Sequence, residues 1–347
     1  MPEAVPVVDL YDDAERCAEL AGLRYVQAEE PGLRRARAGS GFSYRKSNGR
    51  PVSAAVRARV QALVIPPAWQ EVWICADEDG HLQATGIDDR GRKQYLYHER
   101  WREVRDRLNF DRLVDFGNDL PAVRSDVDSQ LRRRTFDRAL VTAAMLRIVD
   151  RCGLRAGSEV YAEENDSFGL STLTKKHVSV TRDTVTFSFP AKSKRQALVV
   201  LEDAKVARVV RRLADQRGRR LFTVDGSPVT AEEINERLGE LCGSHVTLKE
   251  FRTWRGSRVA FAHLRARLGE PDRSSCVVDA IDAAAEALGN TRAVARAHYV
   301  HPEILEAYLT SDLDTFLSRH RARATRYLGA DENLMHRFLH DRVDRRA

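Results

Sequence analysis

The chain has 347 residues, 43% hydrophobic and 31% charged, with a formal net charge of +6, which excludes extended disorder and leads us to expect two domains, each with its own core. No apolar run approaches the roughly 20 residues that span a bilayer, and MPEAVPVVDLYDDAE lacks the basic and apolar regions of a secretory leader. A cytoplasmic location is therefore the expectation. Cys17, Cys75, Cys152, Cys242 and Cys276 lie far apart with no CxxC pair, pointing away from zinc and redox chemistry. Arginine far outnumbers lysine, and its planar fork suits phosphate oxygens, so nucleic acid is the leading partner class.

The first 40 residues read as an acidic, partly helical start followed by a basic stretch, LRRARAGSGFSYRKSNGRPVS, which Gly, Ser and Asn mark as a loop. EVWICADE, HLQATGID and KQYLYH then set β-prone residues between turn signals at Asp79-Gly80 and Arg90-Gly91, the pattern of an antiparallel meander. A boundary near Tyr97 to Arg100 gives domains of residues 1–98 and 99–347.

From Trp101 helical periodicity takes over in WREVRDRLNFDRLVDFGNDL and DSQLRRRTFDRALVTAAMLRIVDRCG, with Gly153 ending the second run. HVSVTRDTVTFSFPAKSKRQALVVL reads as three strands, with Arg182-Asp183 in the first turn and Ala191 to Lys194 at the second tip. The remainder is mostly helical. The fold class is α+β: a small β-rich N-terminal domain and a larger, mostly helical catalytic domain carrying a short three-stranded sheet.

Tyr299, in LGNTRAVARAHYVHPEIL, is the candidate nucleophile. A phenol with a reference pKa of about 10 attacks a phosphodiester only where clustered positive charge stabilises both the phenolate and the pentacoordinate phosphorus. Arg155, Lys192, Lys249 and Arg252 precede it in an order suited to that task. Arg155 follows the helix stop at Gly153. Lys192 sits at a hairpin tip, where a lysine can protonate a leaving alkoxide. Lys249 and Arg252, three apart, share a helical face, while Gly289 ends one helix and Thr291 caps the next. Taken singly, each has a bland reading as a solvated charge or as packing; the ordering carries the weight.

With the text around them, these residues resemble the type IB DNA topoisomerases of the compact poxvirus-like group that also occurs in bacteria. The resemblance covers nearly the whole chain: IPPAW at 65–69, ATGIDDRGRKQYLYH at 84–98, LPAVR at 120–124, GLRAGSE, NDSFGLSTLTKKHV at 165–178, KEFRTW and LGNTRAVARAHYVHPEIL. It implies the DNA breaking-rejoining enzyme fold, acting as a monomer clamped around double-stranded DNA and associated with the bacterial nucleoid. It also implies attack by Tyr299, a 3′-phosphotyrosyl bond, a free 5′-hydroxyl, strand rotation and resealing. Arg155 and Arg252 would hold the non-bridging oxygens and Lys192 would protonate the departing 5′-oxygen. No ATP, metal or other cofactor is implied. In the N-terminal domain, Gln94, Tyr95 and Tyr97, with Arg92 and Lys93, would face the major groove, and the basic 34–50 region would track backbone; Lys249 would join the DNA contacts.

The chain departs from the family at Asn290, where a histidine usually stands nine residues before the tyrosine. An amide donates a hydrogen bond but carries neither charge nor a transferable proton, so Asn290 is expected to stabilise the phosphate as a neutral donor. Ala295-Arg296 stand where relatives often show Ser-Lys. GIDDRGRK is set aside as a P-loop, because Arg92 follows its second glycine. The histidines show no metal-ligand spacing, and His301 is expected either to contact DNA or to cap a turn. Two competitors remain: a tyrosine recombinase, which typically has histidine where Lys249 stands, and a DNA-binding architectural protein that has lost catalysis.

Overall fold

The stretch that reads as a basic loop is a β-hairpin. Strands β1 (Leu33–Ala38) and β2 (Gly41–Lys46) pair antiparallel, Ala38 opposite Gly41, around a two-residue turn that Gly39 opens at φ +57°. Leu33 and Tyr44 point inward, while most of the arginines alternate outward into solvent. Arg35 is the exception. Its guanidinium lies 4.2 Å from the centre of the Phe42 ring and donates to the carbonyls of Ile65, Pro66 and Trp69 at 3.2, 3.0 and 2.7 Å. The abundance of Arg, Gly and Ser hid this alternation from sequence reasoning.

The computed structural model describes residues 13–191, 196–242 and 246–344, in two units, Met1–Asn109 and Phe110–Ala347. In the first, β3 (Gln70–Ile74), β4 (Leu82–Ile87) and β5 (Lys93–Tyr97) complete an antiparallel sheet of order β2-β1-β3-β4-β5. Helix α1 is Ala14–Leu20 and α2 is Ala54–Ala62. Val60 of α2 packs with Leu33, Val72, Ile74 and Ala84 of the sheet. The expected meander is present, turns included, with β5 at its edge.

Helix α3 (Glu99–Gln130) runs 32 residues through Pro121, past Leu120, where the first amphipathic run read from the sequence ends. The division between the two units falls within it. Proline inside a helix costs about 3 kcal/mol, but Leu113, Phe116, Leu120, Val123, Val127 and Leu131 recur at spacings of three or four and are all buried, so packing outweighs the missing hydrogen bond. The chain then breaks before α4 (Arg138–Cys152), whose start is fixed by Asp137 accepting from Leu140 N–H at 3.0 Å.

In the second unit α4 is buried along nearly its whole length. Beside α5 (Glu159–Asn165) and a sheet of order β6-β7-β8 (Val178–Val180, Thr184–Pro190, Gln196–Glu202) come α6 (Ala204–Ala214), the short strands β9 (Thr223–Val224) and β10 (Ser227–Pro228), and α7 (Ala231–Cys242). Val185, Phe187, Phe189 and Leu201 of the sheet share one core with Val206, Val209 and Val210 of α6 and with α4. Helices α8 (Leu248–Arg265), α9 (Arg273–Leu288), α10 (Arg292–His298), α11 (Pro302–Leu309), α12 (Asp312–Arg319) and α13 (Ala330–Asp344) follow. The α+β class expected from the sequence is the observed one. Among the described residues no helix is long and apolar enough to cross a membrane.

Candidate active site

Three chain reversals bring the candidate residues together. Gly153 ends α4 in the left-handed region, φ +66°, and a Cβ there would lie 2.8 Å from Arg255 Cδ, so glycine suits both the turn and the space. The chain then delivers Arg155 into a loop held by Leu170 N–H and Ser171 N–H, which donate to the carbonyls of Arg155 and Ala156, each at 2.8 Å. Helix α8 begins in a capping box: Thr247 accepts from Lys249 N–H at 3.3 Å while Glu250 accepts from Thr247 N–H at 2.9 Å. Arg252 follows one turn later.

Helix α9 ends at Gly289, φ +60°. Gly289 N–H donates to Glu286 O at 3.1 Å and Asn290 N–H to Ala285 O at 2.8 Å, a Schellman pair that aims the Asn290 side chain back at the arginines. Thr291 then caps α10, accepting from Val294 N–H at 3.4 Å, and Tyr299 closes that helix with its N–H on Ala295 O at 2.9 Å. Both caps were expected from the sequence.

Arg252, only 4% exposed, donates to the carbonyls of Gly153 and, at 3.1 Å, Leu288, and reaches Asn290 Oδ1 at 3.4 Å. Arg155 donates to the same Oδ1. The Arg252 guanidinium carbon stands 4.8 Å from the centre of the Tyr299 ring, within cation–π range. Tyr299, Arg155, Arg252 and Asn290 therefore form one cluster. Lys192 lies outside the described residues, and Lys249 is exposed on the first turn of α8.

The cluster is short of negative charge. Burial, and then the Arg155 guanidinium, push the Arg252 pKa below its ordinary value, while Tyr299 opposes them. Among the described residues neither Arg155 nor Arg252 has a carboxylate partner, and Arg252 Nε and Asn290 Nδ2 are buried without a hydrogen-bond partner. Buried donors without acceptors are uncommon, and two converging guanidiniums are a fork for an anion's oxygens. A cavity of about 440 Å³, lined in part by Gly153, Arg155, Arg252, Arg255 and Gly289, opens beside them.

Sequence reasoning missed the residues that seat Tyr299. A Cβ on Gly256 would overlap the Tyr299 carbonyl and stand 3.1 Å from Leu288 Cδ1. Ser257 Oγ donates to that carbonyl at 3.4 Å and accepts from His301 N–H at 3.0 Å. The signal available was the small pair Gly256-Ser257 one turn after Arg252 on α8. His301, 1% exposed, caps α11 by accepting from Glu303 N–H at 3.3 Å, the second of its two expected roles.

In the first unit, strand alternation sets Lys93, Tyr95 and Tyr97 on one face of β5 and Gln94 with Leu96 on the other. Tyr95 is 48% exposed and stacks on the half-buried Tyr97, ring centres 6.1 Å apart, with Lys93 Nζ 5.6 Å from the Tyr95 ring centre. Burial raises the Tyr97 phenol pKa. Gln94 instead donates to Asp88 at 2.8 Å, and the backbone N–H and guanidinium of Arg92 hold the Asp88 carboxyl down at about 2. The five candidates are thus adjacent, but they do not present a single face. Among the described residues no group of His, Cys, Asp and Glu is placed to hold a metal ion.

Residues 98–319 match the family model of the eukaryotic DNA topoisomerase I catalytic core, and residues 41–88 match that of the bacterial DNA topoisomerase IB N-terminal domain. Together the matches define a type I DNA topoisomerase and set the recombinase alternative aside. The DNA topoisomerase 1B of Acanthamoeba polyphaga mimivirus is 30% identical over 296 residues, covering 80% of this chain and 87% of that one. The DNA topoisomerase I of monkeypox virus is 22% identical over 230 residues, 64% of this chain and 71% of its own. The chain belongs to the type IB DNA topoisomerase family. A solved structure of the XerH site-specific recombinase on a palindromic difH substrate aligns at 15% identity with a TM-score of 0.37, over 56% of this chain and 51% of the recombinase.

Proposed function

We propose that this enzyme relaxes supercoiled duplex DNA by cutting one strand transiently, with Tyr299 as the nucleophile. The Tyr299 phenolate attacks the scissile phosphorus, the 5′-oxygen leaves with a proton from Lys192, and a 3′-phosphotyrosyl bond remains. Arg155 and Arg252 neutralise the charge that grows on the non-bridging oxygens. Asn290 Nδ2–H, a neutral donor, adds a third contact. The free strand rotates and its 5′-hydroxyl reverses the step. Because the phosphotyrosyl bond preserves the energy of the cleaved one, neither ATP nor a metal ion enters.

One observation carries this proposal: Arg155 and Arg252 both donate to Asn290 Oδ1, beside the Tyr299 ring, with no carboxylate partner among the described residues. That carbonyl oxygen receives the two guanidiniums as a phosphate oxygen would, so substrate needs only to take over donors already converging. Lys249 contacts a flanking phosphate, and Arg92, Lys93, Gln94, Tyr95 and Tyr97 meet the duplex. The enzyme works as a monomer, and its DNA affinity falls steeply with salt as counterions are released.

The test is relaxation of positively and negatively supercoiled plasmid in EDTA without nucleotide. The intact chain should relax both and Tyr299→Phe neither. A requirement for a divalent ion or nucleotide, or relaxation by Tyr299→Phe, would refute the proposal.

A further inference from the structure

A second cavity, of about 500 Å³, lies where α4 and α8 meet the segment 324–332 that leads into α13. Its lining includes Arg151, Arg255, Arg258 and Arg326, and with Arg124 its arginines outnumber its carboxylates, Asp150, Asp331 and Glu332, five to three. Asp150 and Glu332 are both taken by Arg124, at 2.7 and 2.9 Å, and Asp331 by Arg265.

Among the described residues none of these four arginines forms an ion pair with a carboxylate. Arg138, Arg147, Arg273 and Arg342 each hold a carboxylate. Arg255, by contrast, donates among the described residues to backbone, to Ala287 O at 3.3 Å and Arg151 O at 2.6 Å. Arg326 lies 5.1 Å from its neighbour's Tyr327 ring centre, and Arg258 has no hydrogen bond or ion pair among the described residues. Burial, then Arg258, lowers the Arg255 pKa, the signature of a crowded cation. Along α8, Lys249, Arg252, Arg255 and Arg258 recur every third residue, each step rising about 4.5 Å. Such a row of like charges repels itself unless anions lie beside it. Arg252 serves the first cavity, Arg258 the second, and Arg255 lines both.

An excess of guanidiniums around a concavity favours an oxyanion that can accept several forks at once. The volume falls within the roughly 300–1,000 Å³ of small-molecule sites, and concavity suits a compact polyanion better than the side of a duplex. We propose that this cavity binds the phosphate chain of a small molecule, an inorganic polyphosphate or a nucleotide, through Arg258, Arg326, Arg151 and Arg255. The site does not depend on the role given to Tyr299. Through Arg255 it touches the Ala287 and Arg151 carbonyls, at the ends of the helices that deliver Asn290 and Arg155, so occupancy should be felt at the cluster.

The experiment is calorimetric titration of the DNA-free protein with inorganic tripolyphosphate. Saturable binding of one molecule is expected, weakened about tenfold by Arg258→Gln and by Arg326→Gln. It should be unchanged in Arg321→Gln, an exposed arginine outside the cavity, and in Tyr299→Phe; circular dichroism verifies that each variant is folded. A second arm adds duplex oligonucleotide. Tripolyphosphate that stays bound identifies a free molecule as the natural source of phosphate. Displacement, with the salt slope of duplex binding reduced by about one in Arg258→Gln, identifies a DNA strand as the occupant and would overturn the small-molecule assignment. No saturable binding, or binding that Arg155→Gln abolishes while Arg258→Gln leaves it intact, would overturn the proposal. Loss of plasmid relaxation would leave this result untouched, so the two readings fail separately.

Discussion

The Arg252 guanidinium lies 4.8 Å from the centre of the Tyr299 ring and is held there by the carbonyls of Gly153 and Leu288. Those carbonyls end the helices that deliver Arg155 and Asn290, so one buried side chain ties three elements of the site to the tyrosine. A lysine has no planar fork with which to hold both carbonyls and Asn290. Arg252→Lys should therefore reduce single-turnover DNA cleavage by about 100- to 1,000-fold, while far-ultraviolet circular dichroism remains that of the native fold. Cleavage within a few-fold of the parent would remove Arg252 from the chemistry.

Asn290 faces two ways: Oδ1 accepts from both arginines and Nδ2 is buried without an acceptor among the described residues. Asn290→Ala frees the guanidiniums and deletes the donor, so single-turnover cleavage should fall about tenfold or more. Asn290→His restores a donor that titrates. It should add an ionisation step near pH 6.5 to the cleavage rate, one that the parent lacks at this position. Parallel pH profiles for the two proteins would contradict this role.

Gly256 has no room for a methyl group against the Tyr299 carbonyl. Gly256→Ala must displace either α8 or the nucleophile's backbone, at a cost of about 1–3 kcal/mol in stability. Cleavage at saturating DNA should fall by more than DNA affinity does. Equal losses in both would mean that the glycine serves packing alone.

Much of this arrangement was legible in the sequence wherever local chemistry decides the structure. Gly153 and Gly289 end their helices in left-handed conformations and Thr291 caps the next, each a decision made within a few residues. The hairpin at 33–46 was not legible, because its arginines mask a two-residue period that emerges only once Leu33 and Tyr44 have a sheet to face. The two helical runs read from the sequence, 101–120 and 128–153, are divided elsewhere in the fold, because packing carries α3 through Pro121. The pairing of Gln94 with Asp88, and the seating of Tyr299 on Gly256 and Ser257, depend on contacts between segments that no local pattern reports.

The C-terminal helix is joined to α3 through the Glu332–Arg124 ion pair and to α8 through a hydrogen bond from Trp254. Burial pushes the Glu332 carboxyl up, but hydrogen bonds and charge from Arg124, with Gly329 N–H and Trp254 Nε1–H, overcome it and hold the group at about 2. A carboxyl lowered on folding adds stability that is fully present above its ordinary pKa of about 4.5 and is lost as pH falls toward 2. Glu332→Gln leaves Arg124 short of one partner and should reduce stability by about 3–5 kcal/mol at pH 7. The gap to the parent, measured by urea unfolding, should narrow between pH 4.5 and 3. A gap independent of pH would refute the ionic origin.

The most direct test is to quench the reaction on end-labelled duplex DNA with detergent, digest the adduct, and locate the nucleotide-bearing residue by mass spectrometry. A single phosphotyrosine at Tyr299, attached to a DNA 3′-end and absent from Tyr299→Phe, is the expected result. An adduct on another residue, or relaxation with no covalent adduct at all, would contradict the assignment of Tyr299 as the nucleophile.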